Sequence, residues 1–84
     1  MARQTDAPIV SPAGGVHDNP LEVTIRSPTE GASIAYTFDE SEEATWLLYT
    51  EPLLVGVDAT LRARAVRYGY AESAETKARF RFDP

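Results

Sequence analysis

Four stretches of the chain alternate apolar and polar residues with a period of two, and this pattern limits the fold more than any other feature. In "LEVTIRS", Leu21, Val23 and Ile25 share one side, and Glu22, Thr24 and Arg26 share the other. "SIAYTFD" sets Ile34, Tyr36 and Phe38 together, and "TLRARAVRY" sets Leu61, Ala63 and Ala65 against Arg62 and Arg64. "ETKARFRF" sets Ala78, Phe80 and Phe82 against Lys77, Arg79 and Arg81. Period two is the signature of a half-buried strand, because successive side chains in a strand point to opposite faces. No window of useful length repeats every 3.6 residues. In "ESEEATWLLY", which could form a helical turn, the apolar residues bunch at one end. The alternation in the third stretch would send Arg67 inward if continued, so that strand is expected to end or bulge near Val66.

Shorter pieces lie between these strands. "PIVSPAGG" is an apolar run flanked by Pro8 and Pro12, which suits an edge strand because proline has no N–H to donate. "VHDNP", "SPTEGA" and "YGYAES" carry turn chemistry, the last with Gly69 as a structural turn residue. "WLLYT" and "LLV" are two apolar fragments hinged at Pro52. Residues 1–7 are expected to be a flexible lead-in, and residues 8–84 one domain. At 84 residues the chain buries only about 60–65% of its unfolded surface, so its core is modest. A lone sheet would leave an apolar face in water, so two sheets must pack together. The expectation is all-β: an antiparallel sandwich of about seven short strands. Small inward residues such as Ala63 and Ala65 would leave room for Tyr36, Phe38 or Trp46 across the core.

Several chemistries fit the composition poorly. There is no cysteine, hence no disulfide framework or thiolate metal site. A net charge of −5 argues against a nucleic-acid partner. No apolar run approaches a membrane span, and the polar N-terminus has no signal-peptide core. "DESEE" (Asp39 to Glu43) lacks the spacing of an EF-hand loop. Its four acids on a short polar segment should be solvated and ionised, which does not suit general acid catalysis. Asp39 is the structural member, placed at a strand end to accept backbone N–H groups in an Asx-turn. His17, the only histidine, sits in "VHDNP" and reads as an exposed turn residue with no nucleophile motif beside it. No cofactor or metal site is expected, and the isolated domain is expected to be monomeric.

The residues left to carry function are aromatic or basic. Trp46 precedes Leu47 and Leu48 and is read as core, with a sugar-stacking loop position as the alternative. Tyr36 is read as a structural core residue, and Tyr70 as the tyrosine nearest to solvent. If "TLRARAV" and "ETKARFRF" are antiparallel neighbours, Arg62, Arg64, Lys77, Arg79 and Arg81 project from one sheet face. Like charges directly opposite one another are unfavourable, so nearby acids or an acidic partner must relieve that face.

In order, "PIVSPAGG", "GASIAYTFD", "YTEP" and "TLRARAVRYGYAES" resemble the Ig-like modules known as the chitobiase/β-hexosaminidase C-terminal or fibronectin-III-associated domain. The likeness runs over residues 8–82. It implies an Ig-like β-sandwich and a non-catalytic accessory module of a larger secreted, periplasmic or cell-surface bacterial enzyme acting on glycans. The stretch around Trp46 is most like the version appended to sulfatases. Partners implied are the parent catalytic domain or a glycan, the alternative being an independent carbohydrate-binding module. One departure stands out: the family usually follows Tyr-Thr-x-Asp with glycine, where this chain has Glu40. Glycine tolerates positive φ and Glu40 does not, so this loop should take another path.

Overall fold

The computed structural model describes residues 3–83 and shows eight strands and no helix among them. They are β1 (Ile9–Ser11), β2 (Gly15–His17), β3 (Leu21–Arg26), β4 (Ser33–Thr37), β5 (Leu47–Leu48), β6 (Leu53–Val55), β7 (Ala59–Val66) and β8 (Thr76–Phe82). One sheet has the order β1-β3-β6 and the other β2-β8-β7-β4-β5. This is an Ig-like sandwich, all-β as its alternation requires. Two details differ from the expectation. There are eight strands where about seven were expected, and β2 runs parallel to β8, so the larger sheet is mixed.

Both differences arise at the edges. "PIVSPAGGVH" was read as one edge strand and a turn, yet the chain crosses between sheets after Ser11. β1 borders the small sheet beside β3, and β2 borders the large sheet beside β8. Pro52 marks a second crossing, since β5 pairs with β4 and β6 with β3. Short edge strands that switch sheets leave little unpaired backbone on either border.

The core is built from large residues set against small ones. Across the β4–β7 ladder Ile34 faces Ala65 and Tyr36 faces Ala63. Across β7–β8 Leu61 faces Ala78 and Ala59 faces Phe80. From the small sheet come Val10, Val23, Ile25 and Val55, all buried. Alternating bulk in this way lets two sheets interdigitate without voids or forced rotamers. β7 ends at Val66, before parity would bury Arg67.

One expected core residue lies elsewhere, and one expected turn residue is partly buried. Phe38 follows the end of β4, is 41% exposed, and leans edge-on against Tyr36 with ring centroids 6.1 Å apart. Its alternation with Tyr36 is real in sequence, but the ladder stops at Thr37, so nothing holds it in register. His17, read as a turn residue, lies in β2 and is half-buried. Its ring is tilted against Phe80 and Phe82 at 6.3 and 6.1 Å.

Within the segment expected to be a flexible lead-in, residues 3–6 make hydrogen bonds to two loops. Residues 1 and 2 lie outside the described residues. Thr5 donates its N–H to the Ala71 carbonyl at 2.9 Å, and Ala71 donates to the Arg3 carbonyl at 2.7 Å. Thr5 is 2% exposed, and the Asp6 N–H donates to Thr29 Oγ1. Backbone groups that would otherwise need water find partners in the β7–β8 loop, which anchors the arm.

Candidate functional site

The outer face of the five-stranded sheet gathers Trp46 and the five basic residues singled out in the sequence. β7 and β8 are antiparallel neighbours, with Arg62 opposite Lys77 and Thr60 opposite Arg79. Arg62, Arg64, Lys77, Arg79 and Arg81 therefore share one face, as strand parity requires. They do not share one environment.

Arg62 and Arg64 are compensated locally. Arg62 donates from Nε and Nη2 to Glu75 Oε1 at 3.1 and 2.9 Å. Its Nη1 donates to the carbonyls of Asp39 and Ser41 at 2.9 and 3.1 Å. The hydrogen bond to Glu75, followed by the attraction of nearby acids, raises the guanidinium pKa above its ordinary value. Arg64 Nη1 meets Glu72 Oε1 at 3.1 Å. Glu72 and Glu75 come from the loop that joins β7 to β8, so the turn carries the acids that relieve its own strands.

Trp46 completes this half of the face, and here the expectation of a core tryptophan is corrected. The indole is half-buried on the outer side, with the Arg62 and Arg64 guanidinium carbons 4.9 and 4.3 Å from its ring. Two structural facts account for the placement. On the inner side, Tyr36 is already met edge-on by Tyr49, at 6.3 Å. On the outer side, the β4 partners of Arg64 and Arg62 are Ala35 and Thr37, which are small enough for a large ring to reach β7. A guanidinium over an indole contributes about 0.5–1 kcal/mol at an exposed site. Arg64 Nε is buried in the same place without a hydrogen-bond partner.

The "DESEE" stretch is the floor of the same arrangement. Asp39 Oδ1 accepts the Ser41 N–H at 2.9 Å, the Asx-turn anticipated from its position. That bond, ahead of a side-chain bond to Ser41 and the attraction of Arg62, holds the Asp39 carboxyl below its usual value. A depressed carboxylate stabilises the fold above its unfolded pKa and loses that contribution as pH falls through the folded one. Asp39→Asn keeps an acceptor for Ser41 but removes the charge. The variant should have a lower urea midpoint than the parent above pH 3.8, with the gap closing at lower pH. A gap of constant size through the acid range would refute the role given to the Asp39 charge. The loop turns through Ser41 without a left-handed residue, since among the described residues only glycines have positive φ.

Lys77, Arg79 and Arg81 form the other half of the face. All three are exposed, and among the described residues none makes an ion pair. Their borders are low: Gly14 lies against the Arg79 backbone, and Thr60 is the β7 partner of Arg79. Val16, beside Arg81, adds an exposed apolar side chain.

The tyrosines of the β7–β8 loop reverse their expected exposure. Tyr68 is fully exposed, whereas Tyr70 is half-buried beneath Arg67. The Arg67 guanidinium lies 4.5 Å from the Tyr70 ring and donates to its hydroxyl at 3.0 Å. Gly69 between them has φ +84°. Ser73, not singled out in the sequence, pins the loop: its Oγ accepts the Ala65 N–H at 2.8 Å, and its N–H donates to the Ala65 carbonyl. Among the described residues no group of three or more His, Cys, Asp or Glu side chains could hold a metal ion, and no helix could cross a membrane.

The model of one family, the chitobiase/beta-hexosaminidase C-terminal domain, matches residues 12–77. That span includes Trp46, Arg62, Arg64 and Lys77 and stops before Arg79 and Arg81. No curated protein and no solved structure matches the chain.

Proposed function

The chain belongs to the chitobiase/beta-hexosaminidase C-terminal domain family, and from that premise we propose that it serves as a non-catalytic accessory module of a larger secreted enzyme acting on glycans, a glycoside hydrolase or a sulfatase. Its role is to dock on the catalytic domain of that enzyme through the outer face of the five-stranded sheet. The observation that carries this reading is the uneven neutralisation of the face. Arg62 and Arg64 are paired with Glu75 and Glu72 and brace Trp46, while Lys77, Arg79 and Arg81 stand exposed beside them. A braced platform next to cations that make no ion pair among the described residues suits contact with an acidic protein surface. Trp46 itself is a poor sugar platform in this arrangement, because guanidinium groups already lie against its ring.

The test is a titration of the chain with the catalytic domain of the polypeptide that carries it. Arg79→Glu with Arg81→Glu should weaken binding by about tenfold or more at low salt, and added salt should erode the parent's affinity. Both positions are exposed, so the folded state should change by about 0.5 kcal/mol or less. Equal binding by parent and variant, or a carrying polypeptide without a glycan-acting domain, overturns the reading.

A further inference from the structure

At the opposite end of β7 from Ala59, three segments converge on a cleft of about 460 Å³. They are the N-terminal arm, the β3–β4 loop and the β7–β8 loop. The walls carry Arg3, Asp6, Glu30, Arg67 and Tyr70. This volume lies in the range of small-molecule sites.

The cleft is held in shape by its own bonds. The arm is pinned to Ala71 through the two backbone hydrogen bonds described above. Asp6 is pinned to the β3–β4 loop, where Thr29 Oγ1 accepts the Asp6 N–H at 2.9 Å and donates to Asp6 Oδ2 at 3.2 Å. Thr29 is fixed in turn by Ser27 Oγ, which accepts its N–H. Arg67 is held by Tyr70, whose ring it overlies and whose hydroxyl accepts from its Nη1.

The chemistry of the walls selects a ligand class. Two guanidiniums and two carboxylates line one small cleft, yet among the described residues they make no ion pairs with one another. Their charges cancel, so neither an anion nor a cation is favoured as a whole. Beyond the bonds to Thr29 and Tyr70, they retain donors and acceptors in the same cleft. Adjacent hydroxyl groups on a ring use both, donating to a carboxylate and accepting from a guanidinium. Tyr70 is covered by Arg67 and serves to hold that guanidinium in place, while the wholly exposed Tyr68, two residues away across Gly69, offers a free aromatic body with a polar tip. The geometry points to a binding site for a short neutral saccharide in this cleft. The module then holds glycan by its loop end and docks by its sheet face, and the two surfaces use no residue in common.

The experiment is an amide NMR titration of the chain with cellobiose, with N,N′-diacetylchitobiose and with a sulfated disaccharide. A neutral disaccharide should shift the amides of Thr29, Glu30, Gly69 and Ala71, with a dissociation constant of about 1 mM. Tyr70→Ala should weaken binding by about tenfold. Because that change could also loosen the loop, Glu30→Gln and Arg3→Ala, both at exposed positions, should each weaken binding with an unaltered amide spectrum elsewhere. Arg79→Glu with Arg81→Glu should leave saccharide binding intact even where it abolishes docking. The site is refuted if no saccharide shifts these amides at about 50 mM, a concentration well above the expected constant. It is also refuted if only the sulfated sugar binds, or if neither Glu30→Gln nor Arg3→Ala has an effect.

Discussion

Phe80→Ala is expected to lower the unfolding free energy by about 3–5 kcal/mol, the range for removing a large aromatic from a close-packed core. Phe80 is wholly buried, and its position favours the upper part of that range. Its β7 partner is Ala59 and its parallel β2 partner is Gly15, so the residues directly beside it in the ladder leave the ring to fill the space between them. Neither neighbour has a side chain that could move into the space, and cavities that cannot collapse are the costly ones. A domain of this length has a stability of about 0.05–0.15 kcal/mol per residue, so the loss is a large share of the whole. Urea denaturation of the parent, Phe80→Ala and Phe82→Ala provides the check. Phe82 is only half-buried and packs at the margin of the core, so its truncation should cost clearly less. Equal midpoint shifts for the two variants would show that the inner face does not depend on Phe80.

The central strands could be read from sequence because burial on one face forces an alternation. β3, β4, β7 and β8 follow it, and parity alone places Arg62, Arg64, Lys77, Arg79 and Arg81 together. β1, β2, β5 and β6 are two or three residues long, too short for a period to be counted. Pro12 and Pro52 mark where the chain leaves a sheet but not which sheet it joins. The candidate face was legible in outline and not in its pairing. Nothing in the order of residues distinguishes a tryptophan under core alanines from one braced by arginines, since the choice rests on Tyr49 occupying the inner side and on Ala35 leaving the outer side low. In sequence, nothing separates Glu72 and Glu75 from any other loop acids. Their role appears only when the turn folds back to set them beside Arg64 and Arg62. The cleft at the loop end was hidden for a related reason. It needs the N-terminal arm, whose polar composition reads as loose chain until Thr5 and Ala71 are seen to pair.

Gly14→Ala and Gly15→Ala form a matched pair whose difference measures how closely β2 approaches β8. Both glycines have positive φ, +103° and +109°, and an alanine at either carries left-handed backbone strain of about 1–3 kcal/mol. Their surroundings separate them. A Cβ on Gly15 would meet only His17 Nε2 at 3.9 Å, an ordinary contact with the end of a ring. A Cβ on Gly14 would stand 2.7 Å from the Arg79 carbonyl oxygen and 3.1 Å from its nitrogen, both backbone atoms of β8. No rotamer change relieves that overlap, so the start of β2 must move off the sheet. Gly15→Ala should therefore cost about 1–2 kcal/mol, within the strain alone, and Gly14→Ala about 3 kcal/mol or more. Displacing β2 also loosens the parallel ladder that pairs Val16 with Arg81 and His17 with Phe82. In Gly14→Ala the amides of residues 15–17 should lose hydrogen-exchange protection well before those of β7, because edge pairing opens locally while the centre of the sheet stays shut. If the two variants unfold at the same denaturant concentration and protect β2 equally, the close approach is not what holds that edge in place.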